Sequence, residues 1–265
     1  MTPLDDMAFS PKDEHDDGDL PGMFIPEHDE VHICCVFTWD KSRALWLKEN
    51  WEKKTNKPVF IGGPAFDDPG SDFVPGRYLR EGITITSRGC DENCPWCHVP
   101  RREGKIRLLP IVPGRIEQSN NLLACPVQRR REVYDMQKTQ RQVEFRGGLQ
   151  AAKLTDWDIE EMRGLSVGAL WIACDSDGAL PLVKKTINRL HVAGFNQNKI
   201  RCYVLIGDNM AKNEARLREV YEAGALPFAQ LFQPEEYIEY SDEWKHFARQ
   251  WSRPAIYKSI MKTRL

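Results

Sequence analysis

Ile83-Thr84-Ile85-Thr86-Ser87-Arg88-Gly89-Cys90-Asp91-Glu92-Asn93-Cys94-Pro95-Trp96-Cys97 is the stretch whose reading decides the fold. It opens with a short apolar run, 83–86, in the pattern of a buried strand. At Gly89 it passes into a loop carrying three cysteines in C-x3-C-x2-C spacing. Thiolates this close in sequence can converge on one metal centre from a single loop. Structural zinc sites and ordinary iron–sulfur clusters take four protein ligands. A cluster held by three leaves one iron free to bind something else, an arrangement suited to chemistry. His98 follows directly, which leaves a Cys3His structural zinc open as a rival. Adjacent residues seldom reach one tetrahedral centre, however, and zinc ligands usually come as separated pairs.

Downstream, strand-like and helix-like segments alternate. Further strands are expected at 115–123 (ending at Asn120-Asn121), 143–146 (closed by Gly147-Gly148), 169–174, 200–206 and 227–232. Helices are expected at 127–139, just after the capping Thr155, at 180–193 before Gly194, and at 211–223 before Gly224. Alternation of this kind predicts an α/β fold, with a parallel sheet and helices outside it. Strands ending at Cys90, Gly147, Asp175 and Gly207 finish in glycine or polar residues. Parallel barrels place their active sites at the carboxyl ends of strands.

At its cysteine loop the chain resembles the radical S-adenosylmethionine (SAM) enzymes, whose signature is this spacing with an aromatic residue, here Trp96, before the last cysteine. The resemblance covers about residues 83–233 and implies a partial (βα)6 TIM-like barrel. It implies a [4Fe–4S] cluster on Cys90, Cys94 and Cys97, with SAM on the remaining iron. Reductive cleavage in that family gives methionine and a 5′-deoxyadenosyl radical that abstracts hydrogen from a substrate. A flavodoxin or ferredoxin is the implied electron donor. The family's second strand ends in a motif, usually Gly-Gly-Glu, that binds the methionyl amino group. Two pairs compete for that role here: Asn120-Asn121, and Gly147-Gly148 one strand later. Asp175 matches the residue that binds the ribose hydroxyls, and Ile206 and Gly207 lie in the segment that packs on adenine.

Strand alternation adds an inference independent of family. In 143–146 Val143 and Phe145 point one way, Glu144 and Arg146 the other; in 200–206 the apolar set opposes Arg201 and Tyr203. The apolar sets are expected under the helices, which places Glu144, Arg146, Arg201 and Tyr203 inside the barrel. Glu144, Arg201 and Tyr203 are therefore candidate substrate-facing catalytic residues. A Glu144–Arg201 ion pair that merely holds two strands together is the alternative.

Upstream, 31–37, 40–52 and 58–61 read as strand, helix and strand, one βαβ unit ending in Gly62-Gly63-Pro64. This resembles a truncated cobalamin-binding domain that precedes the barrel in one branch of the superfamily. The loop that supplies that domain's axial histidine is absent from the sequence, so no cobalamin is expected. Residues 1–30 hold ten Asp/Glu against one Lys and read as a mobile acidic lead-in; 66–80 reads as a linker.

At 265 residues, 41% hydrophobic and 29% charged, the chain suits one barrel-sized domain with a small appendage. A net charge of −2 gives no global signal for polyanion binding. Basic residues nevertheless follow the cysteines (Arg101, Arg102, Lys105, Arg107), open a helix (Arg129-Arg130-Arg131) and interleave with aromatics in the 234–265 tail (Trp244, Phe247, Trp251, Arg253, Tyr257, Lys258). Charge runs are usually solvated faces, but this mixture suits phosphates and stacked bases, giving a preference for a nucleotide or nucleic-acid substrate. The tail equally suits an amphipathic helix covering the barrel's open edge. No apolar run approaches a membrane span and the amino terminus is unlike a signal peptide, so a cytoplasmic protein without membrane partners is expected. Cys125, Cys174 and Cys202 read as small core residues; a hydrogen-donor role for Cys174, beside Asp175, is the minor alternative.

Overall fold

In the computed structural model, which describes residues 25, 27–35, 37–67 and 82–263, strands and helices alternate along the chain. β1 (Val31–Cys34), α1 (Lys41–Lys54) and β2 (Val59–Gly62) come first. β1 and β2 pair in parallel, with Val31 opposite Val59 and Cys34 opposite Gly62, so the expected βαβ unit forms. Glycine is obligatory in its closing turn: Gly63 has φ +101°, and a Cβ there would lie 2.6 Å from the Cys35 carbonyl oxygen. Most of the acidic lead-in and of the linker lies outside the described residues.

The next elements are β3 (Ile83–Thr84), β4 (Ser87–Arg88), α2 (Val99–Arg102), β5 (Arg107–Leu108), β6 (Ile116–Glu117) and α3 (Val127–Gln137). There follow β7 (Val143–Leu149), α4 (Asp156–Arg163), β8 (Val167–Cys174), α5 (Leu180–Val192), β9 (Ile200–Ile206), α6 (Met210–Glu222) and β10 (Leu226–Leu231). Among the described residues, β3, β6, β7, β8, β9 and β10 form one sheet in that order, every pair parallel. The chain is thus an α/β protein whose strands add in sequence order with helical crossovers between them.

Alternation along β7 and β9 is as expected. Val143, Phe145, Ile200, Cys202, Val204 and Ile206 are buried in the main core with Val183, Ile187, Leu217 and Val220 of α5 and α6. Burying each such aliphatic side chain contributes about 1.5–3 kcal/mol. Cys125, Cys174 and Cys202 are buried in the core, as expected of them; Cys174 is on the helix-facing side of β8, with its thiol pushed up to about 12 by burial.

Around the cysteine loop, the strand boundaries differ from expectation for reasons visible in the hydrogen bonds and pairing. The first strand ends at Thr84, because the backbone N–H groups of Thr86 and Ser87 turn to donate to Ser119 Oγ, each at 3.0 Å. Ser87 and Arg88 then pair antiparallel with β5. The expected strand 115–123 shrinks to two residues, since the Glu117 carboxylate draws in the Ser119 N–H and the apolar Leu122 and Leu123 fold into a 3-10 turn. Gly147 and Gly148 do not close β7. They lie inside it, where its register with β8 shifts between Phe145 and Leu149.

Two of the basic segments are built into the fold. Arg129 is buried and donates to the Thr86 carbonyl at 2.9 Å and to that of Leu109. Arg130 grips Asp158, both oxygens at 2.5 Å, while Tyr134 donates to the same carboxylate at 2.9 Å. Asp158 also completes a reciprocal N-terminal cap with Thr155. The opening helix arginines are therefore structural, with only Arg131 exposed. In the tail, α7 (Asp242–Trp251) and α8 (Pro254–Thr263) bury Phe247, Trp251 and Tyr257 in the main core. Ser252 Oγ donates to the Ala229 carbonyl of β10 at 2.9 Å, so the tail covers the sheet's last strand and its buried aromatics are not free to stack on bases. No helix among the described residues is long and apolar enough to cross a membrane.

Candidate functional site

The cysteine loop is pinned from below. Cys90 N donates to the Gly104 carbonyl at 3.0 Å, and Gly89, at φ +81°, admits no side chain because a Cβ would lie 2.2 Å from the Lys105 oxygen. Arg88 and Glu103 pair at 2.5 Å beside it. Underneath, Glu117 is wholly buried and accepts from Thr86 Oγ1 at 3.0 Å and from Ser119. Burial raises the Glu117 pKa, and the hydrogen bonds from Ser119 and Thr86 pull it only part of the way back.

The loop then lies across the carboxyl ends of four sheet strands. After β6, Asn120 Oδ1 accepts the Gly89 N–H at 3.0 Å, and Asn121 Nδ2 lies 3.8 Å from Cys90 Sγ. After β7, Gln150 Oε1 accepts from Asn121 at 2.8 Å and Lys153 pairs with Glu92 at 2.9 Å. After β8, the Trp96 side chain reaches the Asp175 carboxyl; burial raises that carboxyl's pKa and Trp96 opposes the rise. After β10, His98 Nε2 lies 3.1 Å from the Gln233 carbonyl. Cys90 is buried, Cys94 and Cys97 half-buried. The Cys94 and Cys97 thiols have raised pKa values, first through burial. The negative fields of Cys97, Asp175 and Cys90 add to the rise at Cys94, while at Cys97 a backbone hydrogen bond at Val99 opposes it and the fields of Cys90, Asp175 and Glu103 add to it. The field of Cys90 thus adds to the cost of a thiolate at Cys94 and at Cys97, a cost that a bound cation removes.

Among the described residues, no three His, Cys, Asp or Glu side chains are grouped to hold a metal ion. His98 is engaged at both ring nitrogens, Nδ1 with Arg101 at 3.2 Å and Nε2 with Gln233. Asn121 Oδ1 is buried without a hydrogen-bond partner beside Cys90, a vacant acceptor at the loop's inner wall.

The remaining sequence candidates divide. Glu144, Arg146, Arg201 and Tyr203 are half-buried on the face opposite the helices, as alternation requires. Glu144 does not pair with Arg201. Instead it takes Arg115 at 3.0 Å and Arg146 at 2.7 Å, and although burial works to raise its pKa these two partners hold it below the usual carboxylate value. Arg201 lies over the Trp171 ring at 5.3 Å, and Trp171 stacks on Tyr203 at 4.5 Å with Phe228 edge-on to both. Tyr203 donates to the Arg146 carbonyl at 3.2 Å, and burial pushes its phenol up to about 12. This face thus presents an aromatic floor edged by guanidinium groups. Ile206, by contrast, packs in the core toward the helices and does not line it. Gly147 has a structural reason: a Cβ there would lie 1.8 Å from the Ser119 oxygen. Gly207, at φ +136°, leaves room for the Tyr240 ring, whose hydroxyl donates to the Phe232 carbonyl at 2.7 Å.

Gln150, Lys153, Gln233 and the Thr86–Glu117–Ser119 group escaped the sequence reading. Each stands alone in sequence, and only parallel strand pairing brings them to one loop. No family model matches the chain, and no curated protein matches it.

Proposed function

We propose that the chain is a radical SAM enzyme with a partial (βα)6 barrel, in which Cys90, Cys94 and Cys97 hold a [4Fe–4S] cluster. The observation that carries this reading is the docking of a C-x3-C-x2-C loop across the carboxyl ends of β6, β7, β8 and β10. The cluster and SAM, when bound, supply the electron and the 5′-deoxyadenosyl radical that abstracts hydrogen. The donor set fits such a group. A bound cation would relieve the negative fields that raise the Cys94 and Cys97 thiols, and the unpartnered Asn121 Oδ1 suits an amino group. Asp175, beside Trp96 at the tip of β8, would accept from the ribose hydroxyls.

A closed structural zinc fits less well. The fourth ligand that the sequence offers, His98, has both ring nitrogens engaged. The chain's own residues have the other tasks: the loop contacts position the cysteines, and the Trp171–Tyr203–Phe228 face with Arg201 receives the substrate and excludes water. Glu144, held ionised by its two arginines, fixes Arg146 at the rim of that face.

Anaerobic reconstitution with iron and sulfide, followed by SAM and dithionite, tests the proposal. About four irons and four sulfides per chain and formation of 5′-deoxyadenosine are expected; Cys90→Ala, Cys94→Ala or Cys97→Ala should abolish both and leave most of the fold. A colourless protein filled with one zinc ion would overturn it. A cluster without deoxyadenosine would point to electron transfer instead.

A further inference from the structure

We infer that Asn121 sets the reduction potential of the cysteine centre through an N–H···S hydrogen bond to Cys90, and that Gln150 holds it in the donating pose. The inference rests on the cluster reading given above. Cys90 is the most buried of the three cysteines, and two N–H groups converge on its sulfur: the Glu92 backbone at 3.4 Å and Asn121 Nδ2 at 3.8 Å. Asn121 is itself 6% exposed, so water does not compete for its amide. An amide nitrogen carries two hydrogens, and here one is directed to Cys90 and the other to Gln150 Oε1 at 2.8 Å. Turning the Asn121 amide over would aim its oxygen at the Gln150 oxygen and at a thiolate, two repulsive contacts. The bond to Gln150 therefore fixes which atom faces the sulfur. Gln150 also hydrogen-bonds Glu92, so the same residue touches both Asn121 and the loop just after Cys90.

The physical consequence follows from charge. A hydrogen bond to a ligand sulfur grows stronger as the centre gains an electron, because the sulfur becomes more negative. It therefore favours the reduced state and raises the potential, easing reduction by a weak donor. Outer partners of metal ligands act in this way generally. Asn121 is a positioning residue here: it acts on the metal centre through Cys90.

The test is the midpoint potential of the reconstituted full-length protein, read by electron paramagnetic resonance during anaerobic dithionite titration without SAM. In Asn121→Leu, which removes the donor, the one-electron equilibrium should shift about tenfold toward the oxidised form, a fall of about 59 mV. Asn121→Asp, which replaces the donor by a charged acceptor, should shift it at least as far in the same direction. Gln150→Leu, which leaves the Asn121 amide but frees its orientation, should give a smaller fall. Failure of the wild type to take up any cluster overturns the functional reading itself. Normal cluster content with unchanged potentials in Asn121→Leu and Asn121→Asp overturns this inference alone. If both Asn121 variants lose the cluster, Gln150→Leu decides: an unchanged potential there overturns the inference.

Discussion

Gly147→Ala probes how β6, β7 and the cysteine loop depend on one another. At Gly147 an added Cβ falls 1.8 Å from the Ser119 carbonyl oxygen, about 1.2 Å inside the 3.0 Å that real Cβ contacts keep. That obstacle is backbone, which has no rotamer to swing away. Ser119 is itself tied down, since its Oγ accepts the N–H groups of Thr86 and Ser87 and its own N–H goes to Glu117. Parting β6 from β7 therefore strains the network under the loop and draws Asn120 and Asn121 away from Gly89 and Cys90. Overpacking of this kind costs about 1–3 kcal/mol. Gly148, by contrast, has φ +90° and nothing within 4 Å of a Cβ, so alanine there meets only the left-handed backbone cost of about 1–2 kcal/mol. The expected result is that both variants lower the urea midpoint of the cluster-free protein, while only Gly147→Ala also lowers iron incorporated on reconstitution. Equal, undiminished iron content in the two would refute the coupling between strand approach and loop geometry. A Gly147→Ala protein as stable as wild type would refute the steric argument itself.

Three further outcomes follow from named contacts. Asp158→Asn leaves the buried Arg130 without its counter-charge and weakens the Thr155 cap, so urea unfolding should show a loss of about 3–5 kcal/mol; a loss below about 1 kcal/mol would contradict the pairing. Glu117 binds its proton more tightly folded than unfolded, so its contribution to stability is fully present below its ordinary value of 4.5 and is lost as pH rises through the raised folded value. Stability of wild type relative to Glu117→Gln should therefore fall over that window, by at most about 1.4 kcal/mol per pH unit, and parallel curves in urea titrations would show that the carboxyl is not protonated in the fold. His98→Ala removes a residue that touches Arg101 and Gln233, so iron and sulfide content should match wild type; a wild type that holds zinc and a variant that loses it would restore the Cys3His alternative.

The sequence by itself determined the elements whose patterns are strictly local. β9 spans 200–206 as expected, because a period of two along Ile200, Cys202, Val204 and Ile206 is fixed by the backbone and needs no partner. The same holds for the cap at Thr155 and for the cysteine spacing. Tertiary structure decided the rest. Leu122 and Leu123 supplied an apolar run that burial alone could not assign to strand or turn, and Glu117, by taking the Ser119 N–H, ended β6 early. Arg129 and Arg130 read as a solvated charge run until Asp158 and the Thr86 carbonyl, far away in sequence, claimed them. The floor of the loop (Asn121, Gln150, Asp175, Gln233) exists only where parallel strand ends meet. Parallel pairing joins residues separated by a whole helix and strand, and no local pattern carries that distance.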